Sequence, residues 1–262
     1  MKIRKYLTVV RISFQNAFVY RSNALGGLVF YALFIFVFFN LWRAIYQSGE
    51  AAGYSLNQII WYLCMTELIV FGCKTGIFSE MNEDVKSGSI AYQLNRPYHY
   101  VFYQFSNALG TMFFNLIIYG VLAVVLGLIM VGPLPDYKLS MLPFGLFSGM
   151  LGILINFFLM MTLGFTAFKL EDNLAFFLIY QKLVFMLGMF IPVEFLPKWL
   201  QNVAVWLPFS YIAWAPAKLI VDFSWKLFWQ VVPVQVCWAF IAIILAIFMY
   251  SYGVRNLQAH GG

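Results

Sequence analysis

An all-α membrane protein with six transmembrane helices is what this chain predicts, and three observations carry the prediction. Of its 262 residues, 63% are hydrophobic and 10% charged, whereas a soluble globular domain has about 25% charged residues. The apolar residues gather into runs of about 20, the length that crosses a hydrocarbon core. The polar stretches between the runs are too short for a soluble domain, so residues 1–262 read as one membrane domain.

In chain order, residues 1–23 hold Lys2, Arg4, Lys5, Arg11 and Arg21 and no acid, while Leu7, Val10, Phe14, Ala17 and Phe18 recur at helical spacing. That pattern predicts an amphipathic helix lying on the interface, basic side toward anionic headgroups. Spans are expected at about 24–42, 58–78, 108–131, 141–168, 174–191 and 231–252. Cys64, Cys73 and Cys237 lie inside apolar runs without CxxC spacing, and His99 and His260 are the only histidines. No metal site and no disulfide is expected from that set.

The longest polar interruption is 79–100, SEMNEDVKSGSIAYQLNRPYHY. Ser79 can cap a helix. Glu80, Glu83 and Asp84 follow in its first turns and Lys86 near its end, each where the helix dipole favours its charge. Gly88 can take the left-handed conformation that stops a helix. A further turn runs over 90–95 before Pro97.

Residues 192–230 are apolar and aromatic, yet Pro192, Pro197, Pro208 and Pro216 cut them into pieces too short to span. Two readings stand side by side. One is a re-entrant helical hairpin, its irregular backbone covered by protein. The other is a pair of interfacial helices anchored by Trp199, Trp206 and Trp214.

Six spans put both termini on one side. Lys2, Arg4, Lys5, Arg11, Arg21, Lys74, Lys86, Arg96, Lys169 and Arg255 lie on that side, against Arg43, Lys138, Lys198, Lys218 and Lys226 opposite. The bias predicts cytoplasmic termini, a cytoplasmic 79–100 and an outward 192–230. The net charge of +6 is then a matter of topology, not of nucleic-acid binding.

This order of elements resembles the type-two exporter permeases of ATP-binding-cassette (ABC) transporters, half-size membrane subunits with six spans. Two segments carry the resemblance: DVKSGSIAYQLNRP at 84–97 and GMFIPVEFLPKWLQNVAVWLPFSYIAWAP at 188–216. The tail at 252–262 is similar to that of a subfamily working as paired half-size permeases. The resemblance implies ATP-driven export of an amphiphilic substrate (lipid, drug, peptide or glycan) by alternating access. It implies a second permease subunit, identical or paralogous, membrane lipid around both, and a plasma or inner membrane location.

It also implies that 79–100 is a cytoplasmic coupling helix docked on a separate ATPase subunit. Glu80, Glu83 and Asp84 would meet basic groups there, and Met81, Val85 and Ile90 would supply an apolar anchor. Gly88, Leu94, Arg96 and Pro97 complete the coupling set, and Pro192, Pro197, Trp199, Pro208 and Phe209 mark the outward hairpin. The chain has no GxxxxGK[ST] loop to cradle phosphates. ATP and Mg would therefore bind the partner ATPase, with no cofactor on this chain.

Glu67, Gln181 and Lys182 lie inside apolar runs. A charged Lys or Asp at mid-membrane costs about 2.5–3.5 kcal/mol on insertion scales, so such groups face a partner or water. Either Glu67 and Lys182 pair, or line the substrate path, or Lys182 snorkels while Glu67 is protonated or bonded locally. Asn115 and Asn156 are expected to hydrogen-bond between helices, and Gly145, Gly149 and Gly152 form a small-residue packing face. Two other functions remain beside the permease. A membrane-embedded enzyme needs a convergent nucleophile and base or a metal, and two histidines without a Gly-x-Ser-x-Gly elbow serve it poorly. A non-transporting scaffold or immunity protein would share the permease fold.

Overall fold

The computed structural model describes residues 2–19, 22–48, 53–74, 76–135, 137–170 and 172–260, and no strand occurs among them. In order, the helices are α1 Lys2–Val19, α2 Ser22–Gln47, α3 Leu56–Gly72, α4 Ile77–Lys86, α5 Ser89–Leu94, α6 Tyr100–Val131, α7 Leu142–Phe165, α8 Leu174–Val184, α9 Lys198–Trp206, α10 Pro208–Ile212, α11 Trp214–Val221 and α12 Trp225–His260. Arg21, which figures in the charge pattern, lies outside the described residues.

Among the described residues, five stretches are long and apolar enough to cross a membrane: Leu25–Gln47, Leu56–Lys86, Tyr100–Val131, Leu139–Phe168 and Trp225–Arg255. The expected fifth span is shorter. Leu174–Met189 is an apolar helix whose last turn, Phe185–Met189, is a π-helix. It stops because Ile191 precedes Pro192, whose ring disfavours helical backbone at the residue before it.

α7 sits at the centre. α12 packs along one side of it, and α4, α10 and α11 pack on others, while α3 lies against α6 and α11. The polar side chains inside the apolar helices make the ties. Ser148 Oγ donates to Gln235 Oε1 at 2.7 Å, and Gln235 Nε2 donates to the carbonyls of Ser148 and Tyr211 at 3.1 and 2.8 Å. Tyr180 donates to Asn156 Oδ1 at 2.6 Å, and Asn115 donates to the Phe71 carbonyl at 3.2 Å. Both asparagines thus bond between helices as expected.

The two ends of the bundle differ. At one end Lys5 donates to the Pro97 carbonyl, the Tyr100 and Tyr250 rings stack at 5.7 Å, and Gly253 lies against Phe168. At the other, Trp61 Nε1 donates to the Gly132 carbonyl at 3.0 Å, and Lys218 bonds both Tyr54 and Glu194. The segments richer in Lys and Arg therefore share the first end.

α1 packs lengthwise on α6. Its contacts advance in step with α6: Lys5 meets Pro97, Ser13 donates to Asn107, and Phe18 packs edge-on against Phe114. Gly110 permits this approach, because a methyl there would collide with the Val10 carbonyl and Ser13 Cβ. Val10 and Phe14 are accordingly half-buried, while Leu7 and Phe18 stay exposed.

The 192–230 segment is asymmetric. α10 and α11 are buried, with Ile212, Ala213, Ala215, Ala217 and Leu219 fully enclosed, whereas α9 exposes Trp199 and Trp206 at 68% and 80%. Irregular backbone here is covered by protein, as a low-dielectric surrounding demands. Gly152 makes that burial possible, since a Cβ there would strike the Ile212 carbonyl. Gly149, by contrast, has nothing within 4 Å of an added Cβ.

Gly152→Val is expected to destabilise by about 1–3 kcal/mol, the cost of overpacking. Gly149→Ala should gain about 0.5–1 kcal/mol through helix propensity. Thermal unfolding of the two purified variants checks the pair.

Candidate functional site

α4 begins earlier than Ser79. Cys73 takes an extended conformation (φ −71°, ψ 151°) that ends α3, and Gly76 opens α4 with no side-chain cap. Ser79 therefore lies inside the helix and caps nothing. Lys86 in the last turn and Gly88 at φ 74° behave as the sequence predicts. Gly88 also starts α5.

The acids of α4 have three different fates. Glu80 pairs with Lys74 at 2.5 Å, across the break between α3 and α4. Asp84 turns inward: Tyr100 donates to its Oδ2, Gln104 Nε2 approaches the same oxygen at 3.5 Å, and Ser89 donates to Oδ1 at 2.7 Å. Only Glu83 is exposed and outside any ion pair among the described residues. Of the three acids expected to meet a partner, Asp84 is bonded inward, Glu80 is paired with Lys74 while its side chain stays 43% exposed, and Glu83 is exposed and unpaired among the described residues.

The apolar residues of this stretch are also claimed. Met81 and Ile90 are fully buried and Val85 nearly so, so they anchor α4 and α5 within this chain and offer no apolar anchor to a partner. Met81 meets Gly164 of α7, where an added methyl would come within 2.5 Å of Met81 Cβ. Phe78 stacks on Phe177 of α8 at 4.0 Å with the rings parallel. α4 is thereby wedged against α6, α7 and α8 at once.

The exposed face is made of Glu83, Lys86, Gly88, Tyr92, Arg96 and Pro97. Tyr92 is 66% exposed, with the Arg96 guanidinium 5.0 Å from its ring centre. Sequence reading passed over Tyr92. Arg96 lies just past the end of α5, where the chain turns back over the Tyr92 ring. The Leu94 side chain lies outside the described residues.

Glu67 and Lys182 do not pair. The ion pairs among the described residues are Lys74–Glu80 and Lys218–Glu194. Glu67 is 1% exposed on α3, whereas Gln181 and Lys182 face outward on α8. Beside them opens a groove of about 230 Å³ lined by Val70, Asn156, Met160, Tyr180, Val184, Phe185 and Met189.

At the opposite end, Glu194 gathers a cluster. Lys218 bonds its Oε1, Trp214 Nε1 donates to its Oε2 at 3.0 Å, and Lys218 Nζ donates to Tyr54 Oη at 2.8 Å. Burial would raise the Glu194 carboxyl, but the hydrogen bond and charge of Lys218 outweigh it and hold the group below its ordinary range. Burial, then the Glu194 charge, push the Tyr54 hydroxyl up. Of the proline marks, Pro192 and Pro208 are buried while Pro197 is exposed, and Phe209 is half-buried. A second cavity of about 450 Å³ lies at this end, lined by Tyr137, Lys138, Asp222 and Trp225 among others.

The family described as "ABC-2 family transporter protein" matches this chain over residues 28–261. No curated protein matches it.

Asp84→Ala is expected to destabilise by about 1–3 kcal/mol by stranding the Tyr100 hydroxyl, and Glu83→Ala to shift stability by less than about 0.5 kcal/mol; denaturation of both variants checks this. The lowered Glu194 carboxyl adds stability that is complete above its unfolded pKa of about 4.3 and disappears as pH falls through the lower folded value. A pH series of unfolding midpoints should therefore lose a component below about pH 4 that Glu194→Gln lacks.

Proposed function

The chain belongs to the ABC-2 transporter family, and from that premise we propose that it is the membrane-spanning permease subunit of an exporter driven by a separate ATPase. Two permease subunits, identical or paralogous, form the path, and ATP and Mg act on the ATPase. The apolar helix Leu174–Met189 serves as the sixth span. Both termini, α4 and α5 lie in the cytoplasm, and α9 to α11 face outward. The cargo is amphiphilic.

One observation carries the coupling role. α4 is fixed by its buried side to three long or apolar helices, through Asp84–Tyr100, Met81–Gly164 and Phe78–Phe177. Its other side, continued by α5, stays open with Glu83, Lys86, Tyr92 and Arg96 exposed. A short helix is marginal alone and persists through packing, so a force on the open face passes to α6, α7 and α8. Tyr and Arg are the side chains that dominate protein interfaces, which makes Tyr92 and Arg96 the leading contacts, with Glu83 as the acid that meets a basic group.

The test is purification of the complex from membranes with identification of its other subunits. An ATPase of the ATP-binding-cassette type is expected, with ATP turnover that depends on this chain. Tyr92→Ala should cost about 2 kcal/mol of its binding, roughly thirtyfold in affinity, and Glu83→Lys should weaken it further without disturbing membrane insertion. Undiminished association and turnover in both variants would remove the docking role.

A further inference from the structure

The exposed faces of the long helices are not alike. On α2 the outward residues Val29, Phe30, Leu33, Phe36 and Val37 are wholly apolar, as a lipid-facing surface requires. α8 instead presents Gln181 and Lys182 between Ile179 and Met186. Lys182 lies eight residues beyond Leu174, about 12 Å of helical rise, near the middle of the apolar helix Leu174–Met189. Something other than lipid tails must meet that charge.

Among the described residues no carboxylate pairs with it. Of the acidic residues that are described, only Glu67 lies in the interior of an apolar helix. Glu67 is 1% exposed, sealed on α3 away from the outer surface, so it reaches neither its own Lys182 nor that of a second copy. A symmetric dimer repeats the deficit, because both copies bring a cation to that depth and neither brings an accessible anion. The counter-charge has to enter from outside the protein.

The groove at this place is amphiphilic. Gln181 and Lys182 form its polar edge, and Met160, Val184, Phe185 and Met189 its apolar wall. We infer that this groove receives the anionic headgroup of the transported amphiphile, with Lys182 as charge partner, Gln181 as hydrogen-bond donor and the methionine and phenylalanine side chains against the apolar part. The inference rests on the permease reading and adds the sign of the cargo.

The test uses the complex purified from membranes, offered phosphatidylglycerol and phosphatidylcholine of identical chains in equal amounts, with bound lipid counted by native mass spectrometry. Retention of phosphatidylglycerol is expected to be about tenfold greater, the worth of one charge-assisted hydrogen bond. Lys182→Gln should bring the two lipids to parity, Lys182→Arg should keep the preference, and Lys226→Gln, which removes an equal charge elsewhere, should leave it intact. Excess inorganic phosphate should not displace the lipid; displacement would assign the site to a free anion and overturn the amphiphile. Equal retention by the unaltered protein overturns the assignment even where a variant fails to fold, as does a preference that survives Lys182→Gln. The lipid count does not depend on the ATPase, so failure of the anion assignment leaves ATPase association untouched, and absence of an ATPase leaves the lipid count readable.

Discussion

Hydrocarbon offers no hydrogen bonds, and that single deficit organises this protein. Backbone polar groups at that depth have to be satisfied by the protein itself, and several buried side chains serve that end. Gln235 shows the consequence most fully. One side chain on α12 saturates Ser148 of α7 and also reaches the Tyr211 carbonyl of α10. It holds a long helix, the central helix and an irregular segment in one register. Tyr62, donating to the Gly188 carbonyl at 3.3 Å, does the same for α3 and the π-turn of Phe185–Met189.

Close approach is the second half of that solution. α10 and α11 can lie inside the bundle only because Gly152 lets the Ile212 carbonyl rest on α7 and Gly188 lets the Phe209 carbonyl rest on the π-turn. Small residues thus substitute for the hydrophobic drive that is missing between helices in lipid. The segment that the sequence leaves open between re-entrant and interfacial is divided in its burial. α10 and α11 are buried, while α9 keeps the exposed tryptophans.

Most of the fold was legible in the sequence, since apolar runs of about 20 residues state their own structure. Local conformational signals were legible too: Gly88 stops a helix at φ 74° and Lys86 closes it. What was not legible depended on distant residues. Ser79 has the right chemistry for a cap, but the start of α4 is set by where α3 breaks, at Cys73. Asp84 suits a helix dipole, yet Tyr100 and Gln104 of another helix decide which way it points. The apolar positions Met81, Val85 and Ile90 announce a buried face without saying what covers it, and the covering surface is the chain's own core. The shortness of α8 follows from Pro192, a local signal outweighed in sequence reading by the apolar run around it.

α8 is where the two ends of the molecule meet mechanically. Its first turns carry Phe177, stacked on Phe78 of α4. Its last turn is a π-helix, the loosened geometry that recurs at functional positions. Beyond it Pro192 leads into Glu194, which Lys218, Tyr54 and Trp214 hold to α11 and to the segment preceding α3. Coupling between distant sites needs a contiguous physical element with more than one arrangement. On the proposed reading α8 meets the first requirement by contact at both ends, and its π-turn gives the place where the arrangement can change. A displacement of α4 would reach the Glu194 cluster along this one helix, and the outward-facing Lys182 lies between them.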